Sequence, residues 1–148
     1  MSIHQLFFTA PPIIIGLSLV VFYIKGRSAV KIFPDISTVN IIYQEKYCSG
    51  YSMQSWKTKI GGASNVLDII ITDAELWIKL PMIFAGIAKE FDLLHRINLR
   101  NIINVHPTSN GATVSFKNQN GENKQVFLQL KRPDKFIRIL QNKISTLD

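Results

Sequence analysis

The sequence predicts a mainly β protein. Six or seven antiparallel strands close into a small barrel or sandwich, a C-terminal α-helix plugs one end, and one N-terminal transmembrane helix precedes them. Three observations carry this reading. An uncharged apolar stretch opens the chain, short alternating runs separated by turn residues fill its middle, and an apolar stripe of helical period closes it.

The opening stretch comes first. From Met1 to Ile24 there is no Asp, Glu, Lys or Arg, and Leu6 to Ile24 ("LFFTAPPIIIGLSLVVFYI") is 19 uncharged, mostly apolar residues. At 1.5 Å per residue that length approaches the roughly 30 Å of a bilayer core. A cleaved signal peptide has a positive leading region and a shorter core. Here the cations follow instead, at Lys25, Arg27 and Lys31. The positive-inside bias keeps those residues in the cytoplasm and sends the short N-terminus across. Single-pass insertion in the inner (plasma) membrane, with the C-terminal domain cytoplasmic, is therefore expected. A buried core helix is the rival, but a domain this small rarely needs a helix apolar on every face. Pro11-Pro12 predicts a kink or the helix start. Gly16 and Ser18 permit close helix contact, which leaves a homo-oligomer open.

The expected organisation is an anchor over 1–27, a linker over 28–38 and a domain over 39–148. Residues 25–38, "KGRSAVKIFPDIST", which run from the end of the anchor through the linker, carry charge, a proline and no sustained period. "VNIIYQEKYCSGYS" (39–52) is rich in β-branched and aromatic residues and closes on Ser-Gly. "NVLDIIITD" (65–73) and "ELWIKL" (75–80) form a tight hairpin around Thr72-Asp73. Residues 81–94 lack a strand period and predict a short helix or ordered loop. "HRINLRNIINVHP" alternates with a break at Arg100-Asn101, which predicts a bulge. "ATVSFKN" and "KQVFLQLK" alternate cleanly. Pro133 suits a first helical position, Asp134 favours the positive helix end, and Phe136, Ile139 or Leu140, and Ile144 form one stripe.

The hairpin "LDIIITDAELWI", the strand "INLRNIINV", the pair "ATVSFKN" and "KQVFLQL", and the closing "RPDKFIRIL" together resemble a pleckstrin-homology (PH) domain over about 39–146. More narrowly they are similar to the bacterial PH and GRAM group, where a strand ending in Thr-Asp leads into a Leu-x-Ile strand. The resemblance implies a seven-strand split barrel capped by a C-terminal helix. It also implies a candidate head-group site. Phosphoinositide-binding PH domains carry a Lys, about ten residues, then two basic residues separated by one, and Lys46, Lys57 and Lys59 have that spacing. Two departures stand against the carry-over. Lys59 occupies a position that favours Arg, which loses the bidentate fork. The C-terminal helix lacks the usual Trp, since Trp56 and Trp77 lie elsewhere.

Catalysis finds no constellation. His4, His95 and His106 have no metal spacing, and His95 and His106 fall near opposite ends and faces of one strand. The single cysteine, Cys48, allows no intramolecular disulfide, fits a reducing compartment, and reads as an inert, partly buried thiol. Asp73 and Glu75 flank a turn whose hydrogen bonds account for them. No enzyme activity, cofactor or metal is expected. The formal net charge of +7 lies wholly after Ile24 and favours an anionic leaflet. No basic recognition helix or stacking platform accompanies it, so no nucleic acid is expected.

The stretch "KTKIGGASN" (57–65) holds two readings. In one, Gly61-Gly62 supply positive φ in a turn and the lysines are solvated. In the other, Lys46, Lys57 and Lys59 contact an anionic head group. Trp56 reads either as an interface anchor beside Lys25, Arg27 and Lys31 or as a cover for the barrel end. The leading expectation is a membrane-anchored PH-like module that binds or scaffolds a protein partner at the cytoplasmic face. A sensor of membrane lipid head groups is the second, and a nucleic-acid-binding protein a distant third.

Overall fold

A computed structural model describes residues 3–147, with side chains from Pro12 onward. The side chain of His4 lies outside the described residues. The first helix, α1 (Ile3–Val30), runs through Pro11-Pro12 rather than starting there. It also extends three residues past the expected anchor. Its segment Pro12–Val30 is long and apolar enough to cross a membrane, and 6% of that segment is buried.

Seven strands follow. They are β1 (Ile41–Ser52), β2 (Ala63–Thr72), β3 (Glu75–Lys79), β4 (His95–Asn98), β5 (Ile102–Thr108), β6 (Gly111–Lys117) and β7 (Asn123–Gln129). All pairings are antiparallel, in the order β4-β3-β2-β1-β7-β6-β5. The long β1 serves both halves: its length pairs with β2, and Ser49–Ser52 pair with Gln129–Val126 of β7. The two outermost strands, β4 and β5, are joined by one 3-10 turn at Leu99–Asn101. That turn stands where the sequence predicts a bulge. A sheet whose two edges are consecutive in the chain must curl on itself, which gives the split barrel.

Alternation explains the core. Leu67, Ile69 and Ile71 of β2 face inward with Leu76 and Ile78 of β3, Val114 and Phe116 of β6, and Val126 and Leu128 of β7. Helix α4 (Pro133–Ser145) starts on Pro133 and plugs the barrel with Phe136 and Leu140, both fully buried. The Phe136 ring meets Tyr43 edge-on at 5.7 Å. The fold is thus mainly β, with a C-terminal helical cap and one N-terminal apolar helix.

Two short helices complete it: α2 (Trp56–Ile60), between β1 and β2, and α3 (Met82–Ala88), between β3 and β4. A second small core lies on the outer face of the β2–β3 hairpin, where Phe33, Ile70 and Trp77 pack with Val30, Val39 and Leu94. Of residues 28–38, expected as a linker, 28–30 complete α1 and the remainder is pinned to the barrel through Phe33. Arg96 reinforces the seam by donating from Nη1 to the Ile32 carbonyl at 3.0 Å.

Candidate functional site

The β1–β2 connection is ordered by local chemistry. Ser55 and Thr58 form a capping box, each side chain accepting from the other's backbone N–H, at 3.2 Å to Ser55 Oγ and 3.0 Å to Thr58 Oγ1. This single turn carries Lys57 and Lys59, so the stretch expected as a loop begins as a helix. The expectation of positive φ at Gly61-Gly62 is corrected. Gly61 has φ −81°, and among the described glycines only Gly121 has positive φ. The reason for glycine here is close approach. A Cβ on Gly61 would lie 2.0 Å from the Phe91 ring, and one on Gly62 2.9 Å from the Gly50 carbonyl oxygen.

Lys57 and Lys59 are exposed at the end of β1, with Lys57 Nζ 5.9 Å from the Trp56 ring centroid. Lys46 stands back along β1, in a bulge. Glu45 and Cys48 pair with Ile69 and Leu67, so Lys46 and Tyr47 together oppose Asp68. Tyr47 takes φ 61° there and is exposed. Lys46 lines a cleft of about 310 Å³ with Val30, Lys79, Pro81 and Met82. From Lys46 to Ser52 the strand covers roughly 20 Å at 3.3 Å per residue, and α2 lies beyond that end.

The junction of α1 with the barrel is a glycine crossing. A Cβ on Gly26 would lie 2.0 Å from the Met82 carbonyl oxygen, and one on Gly86 3.0 Å from that of Phe22. Only glycine lets the two backbones come this close. Lys25, Arg27 and Lys31 are exposed around it, and Trp56 is 69% exposed. Trp56 covers no barrel end.

A basic cleft that no local motif announces lies on the open seam of the barrel. Its volume is about 680 Å³, and Lys31, Lys89, Arg96, Lys117 and Lys124 line it with Asp92. Arg96 is committed to Glu75 at 2.8 Å, and Lys124 to Asp92 at 2.6 Å. Among the described residues Lys31, Lys89 and Lys117 have no carboxylate partner. These cations come from the exit of α1, the end of α3, and β6, so their gathering is a product of the fold alone.

Polar groups inside the barrel are satisfied. Glu45, 4% exposed, accepts from the Tyr43 hydroxyl and from the Lys131 N–H at 2.5 Å. Burial opposes its charge, but the bonds from Tyr43, Lys131 and Cys48 outweigh that and hold its carboxyl below the usual range. Burial first, then the Glu45 charge, pushes the Cys48 thiol up to about 12. His95 Nε2 bonds the Asp92 carbonyl at 2.6 Å, and burial holds this histidine below its ordinary value. Asp73 and Glu75 are held by tertiary partners rather than by their turn: Asp73 accepts from Asn40 and Lys143, and Glu75 from Arg96 and Trp77. Thr72 closes that turn, accepting from the Glu75 N–H at 3.0 Å. Among the described residues no three His, Cys, Asp or Glu side chains are placed to share a metal ion.

No protein-family description and no curated protein matches the sequence. Solved structures do. A complex of PDZ-RhoGEF DH/PH domains with GTP-γ-S-activated RhoA superposes with TM-score 0.55 at 8% identity, covering 88% of this chain and 39% of that one. The linker-DH/PH domains of p115-RhoGEF give TM-score 0.46 at 8% identity over 77% and 31% of the two chains. This protein spans well under half of either neighbour. At this identity the likeness concerns architecture: the chain has a PH-like fold.

Proposed function

We propose that this protein is a single-pass membrane-anchored PH-like module that presents its barrel to a protein partner at the cytoplasmic face, in a binding rather than a catalytic role. The observation that carries this is the exposure of α1. Residues Ile13, Ile14, Ile15 and Leu17 are each 60% exposed or more, although the C-terminal turns of the same helix are packed on α3. A core helix would bury that shaft, and leaving it in water is unfavourable by about 25 cal/mol per Å². The charge order, with Lys25, Arg27 and Lys31 after the apolar stretch, supports a cytoplasmic barrel. The complex of the neighbouring DH/PH structure with RhoA supports a protein partner. The narrower likeness to the bacterial PH and GRAM group rests on the Thr72-Asp73 turn between β2 and β3.

Two measurements test this. Alkaline extraction should leave the full chain in the membrane pellet, and recovery in the supernatant sinks the anchor. Crosslinking with mass spectrometry in native membranes should return a stoichiometric partner on the barrel, and its absence sinks the scaffold.

A second reading, contact with an anionic head group, is favoured by the unpaired cations of the seam cleft. Titration of the detergent-solubilised chain with a soluble inositol polyphosphate distinguishes the cation sets. Lys31→Glu with Lys117→Glu should abolish binding if the seam cleft is used, and Lys57→Glu with Lys59→Glu if the α2 turn is used. Indifference to both pairs removes this reading.

A further inference from the structure

Helix α3 inverts the ordinary arrangement of a surface helix. Its sequence, "MIFAGIA", contains no polar side chain, and it buries its small residues Ala85, Gly86 and Ala88. Its large ones point outward: Ile83 is 60% exposed, Phe84 45% and Ile87 37%. A cleft of about 220 Å³ carries the apolar surface on from Phe84 and Ile87, past Phe91, to Gly61 and Gly62 at the end of α2. There Ile60 is 77% exposed. A contiguous outward apolar surface of this kind marks a partner.

The position of α3 names that partner. Its Gly86 lies against α1 at Phe22, Lys25 and Gly26, the level at which the uncharged stretch of α1 ends, at Ile24. The apolar face of α3 is thus continuous with the shaft of α1 and begins at the boundary between apolar residues and cations. Lys25 and Arg27 directly follow Ile24, Lys89 follows Ile87, and Lys57 and Lys59 directly precede Ile60, and all five are exposed. An apolar face bordered by cations matches the interfacial layer of an anionic leaflet.

We infer that α3, flanked by Ile60 of α2, is a second membrane contact. It inserts Ile83, Phe84 and Ile87 into the interfacial layer of the bilayer beside α1, and so fixes how the barrel faces the membrane. This inference rests on α1 crossing the bilayer.

The test uses the full chain reconstituted in vesicles of phosphatidylcholine with phosphatidylglycerol. Single cysteines at Ile83 or Phe84 carry a polarity-sensitive fluorophore, while buried Cys48 stays in place and is masked by its own low reactivity. Val20→Cys reports α1, and Gln141→Cys, exposed on α4, reports the barrel end that Lys143 ties to Asp73. Labels at Ile83 and Phe84 should be quenched several-fold more strongly by a lipid-borne shallow quencher than the label at Gln141, and should resist aqueous iodide. If both are as open to iodide as Gln141 while Val20 is quenched from the lipid, the second contact is refuted and the anchor stands. If Val20 itself is open to iodide, the anchor fails and this inference with it. Shielding from iodide without lipid quenching means that another protein or a second copy covers α3, and that also overturns it.

Discussion

The ring centroids of Phe33 and Trp77 lie 5.6 Å apart with their planes at 56°, and this pair joins the segment leaving α1 to the outer face of the β2–β3 hairpin. Trp77 is fully buried, and its Nε1 donates to Glu75 Oε2 at 2.7 Å. Aromatic pairs in tilted contact contribute beyond their buried area.

Phe33→Ala should therefore destabilise the domain by about 3 kcal/mol, at the lower end for truncating a core Phe. In a Trp56→Phe background, which isolates Trp77, its emission should move to the red. Unchanged emission and melting would mean that residues 31–38 do not cover the hairpin in solution.

The glycine crossing offers a sharper test. The atom that a Gly26 Cβ would meet is the backbone oxygen of Met82, which no rotamer change moves aside. Gly26→Ala should cost about 1–3 kcal/mol through overpacking, read as a fall in Tm of several degrees for the detergent-solubilised chain. Gly16, with nothing within 4 Å of its Cβ position, supplies the control. Gly16→Ala should leave the Tm in place or raise it slightly, because alanine favours helix.

Cys48 should be nearly silent toward alkylation. With its thiol pushed up to about 12, on the order of one molecule in ten thousand carries the thiolate at pH 8, against a substantial fraction for an ordinary cysteine. Iodoacetamide should modify the folded protein at least a hundredfold more slowly than the chain unfolded in guanidinium. Equal rates would place Cys48 outside the core.

The pH dependence follows from His95 and Glu45. The folded state holds His95 below its ordinary value of 6.5, so below about pH 6.5 the unfolded chain binds more protons and stability falls as pH falls. Glu45 is also held below its ordinary value of 4.5. Its contribution is present above that pH and is lost on further acidification. Denaturant midpoints should accordingly drop in two stages. The first, setting in as pH falls through about 6.5, should vanish in His95→Gln, and a stage that survives that substitution would assign it elsewhere.

Much of the fold was legible because the determinants are local. The Thr72-Asp73 turn sits between two alternating runs, and Pro133, Asp134 and the stripe through Phe136 and Leu140 mark α4. What escaped is non-local. Phe33 is a lone buried residue in an aperiodic stretch, so nothing near it signals that 31–38 packs. Gly61 looked like a turn glycine, yet its constraint is set by Phe91, thirty residues later in the chain. The five cations of the seam cleft come from separate elements, whereas the spacing of Lys46, Lys57 and Lys59 was conspicuous in sequence while the fold sets Lys46 in a bulge some way along β1. The capping box at Ser55 and Thr58 was readable in principle, but its partner is Thr rather than the more familiar Glu or Gln.

The 3-10 turn at Leu99–Asn101 has a consequence for crowding. It makes β4 and β5 both the edges of the sheet and neighbours in the chain, and each edge is blunted. β4 has four residues, and β5 carries a bulge between Ile102 and Asn104 and a Pro107 that lacks an N–H. Neither offers a long flat ladder to a neighbouring molecule. Copies at high local concentration can collide repeatedly without templating edge-to-edge aggregation.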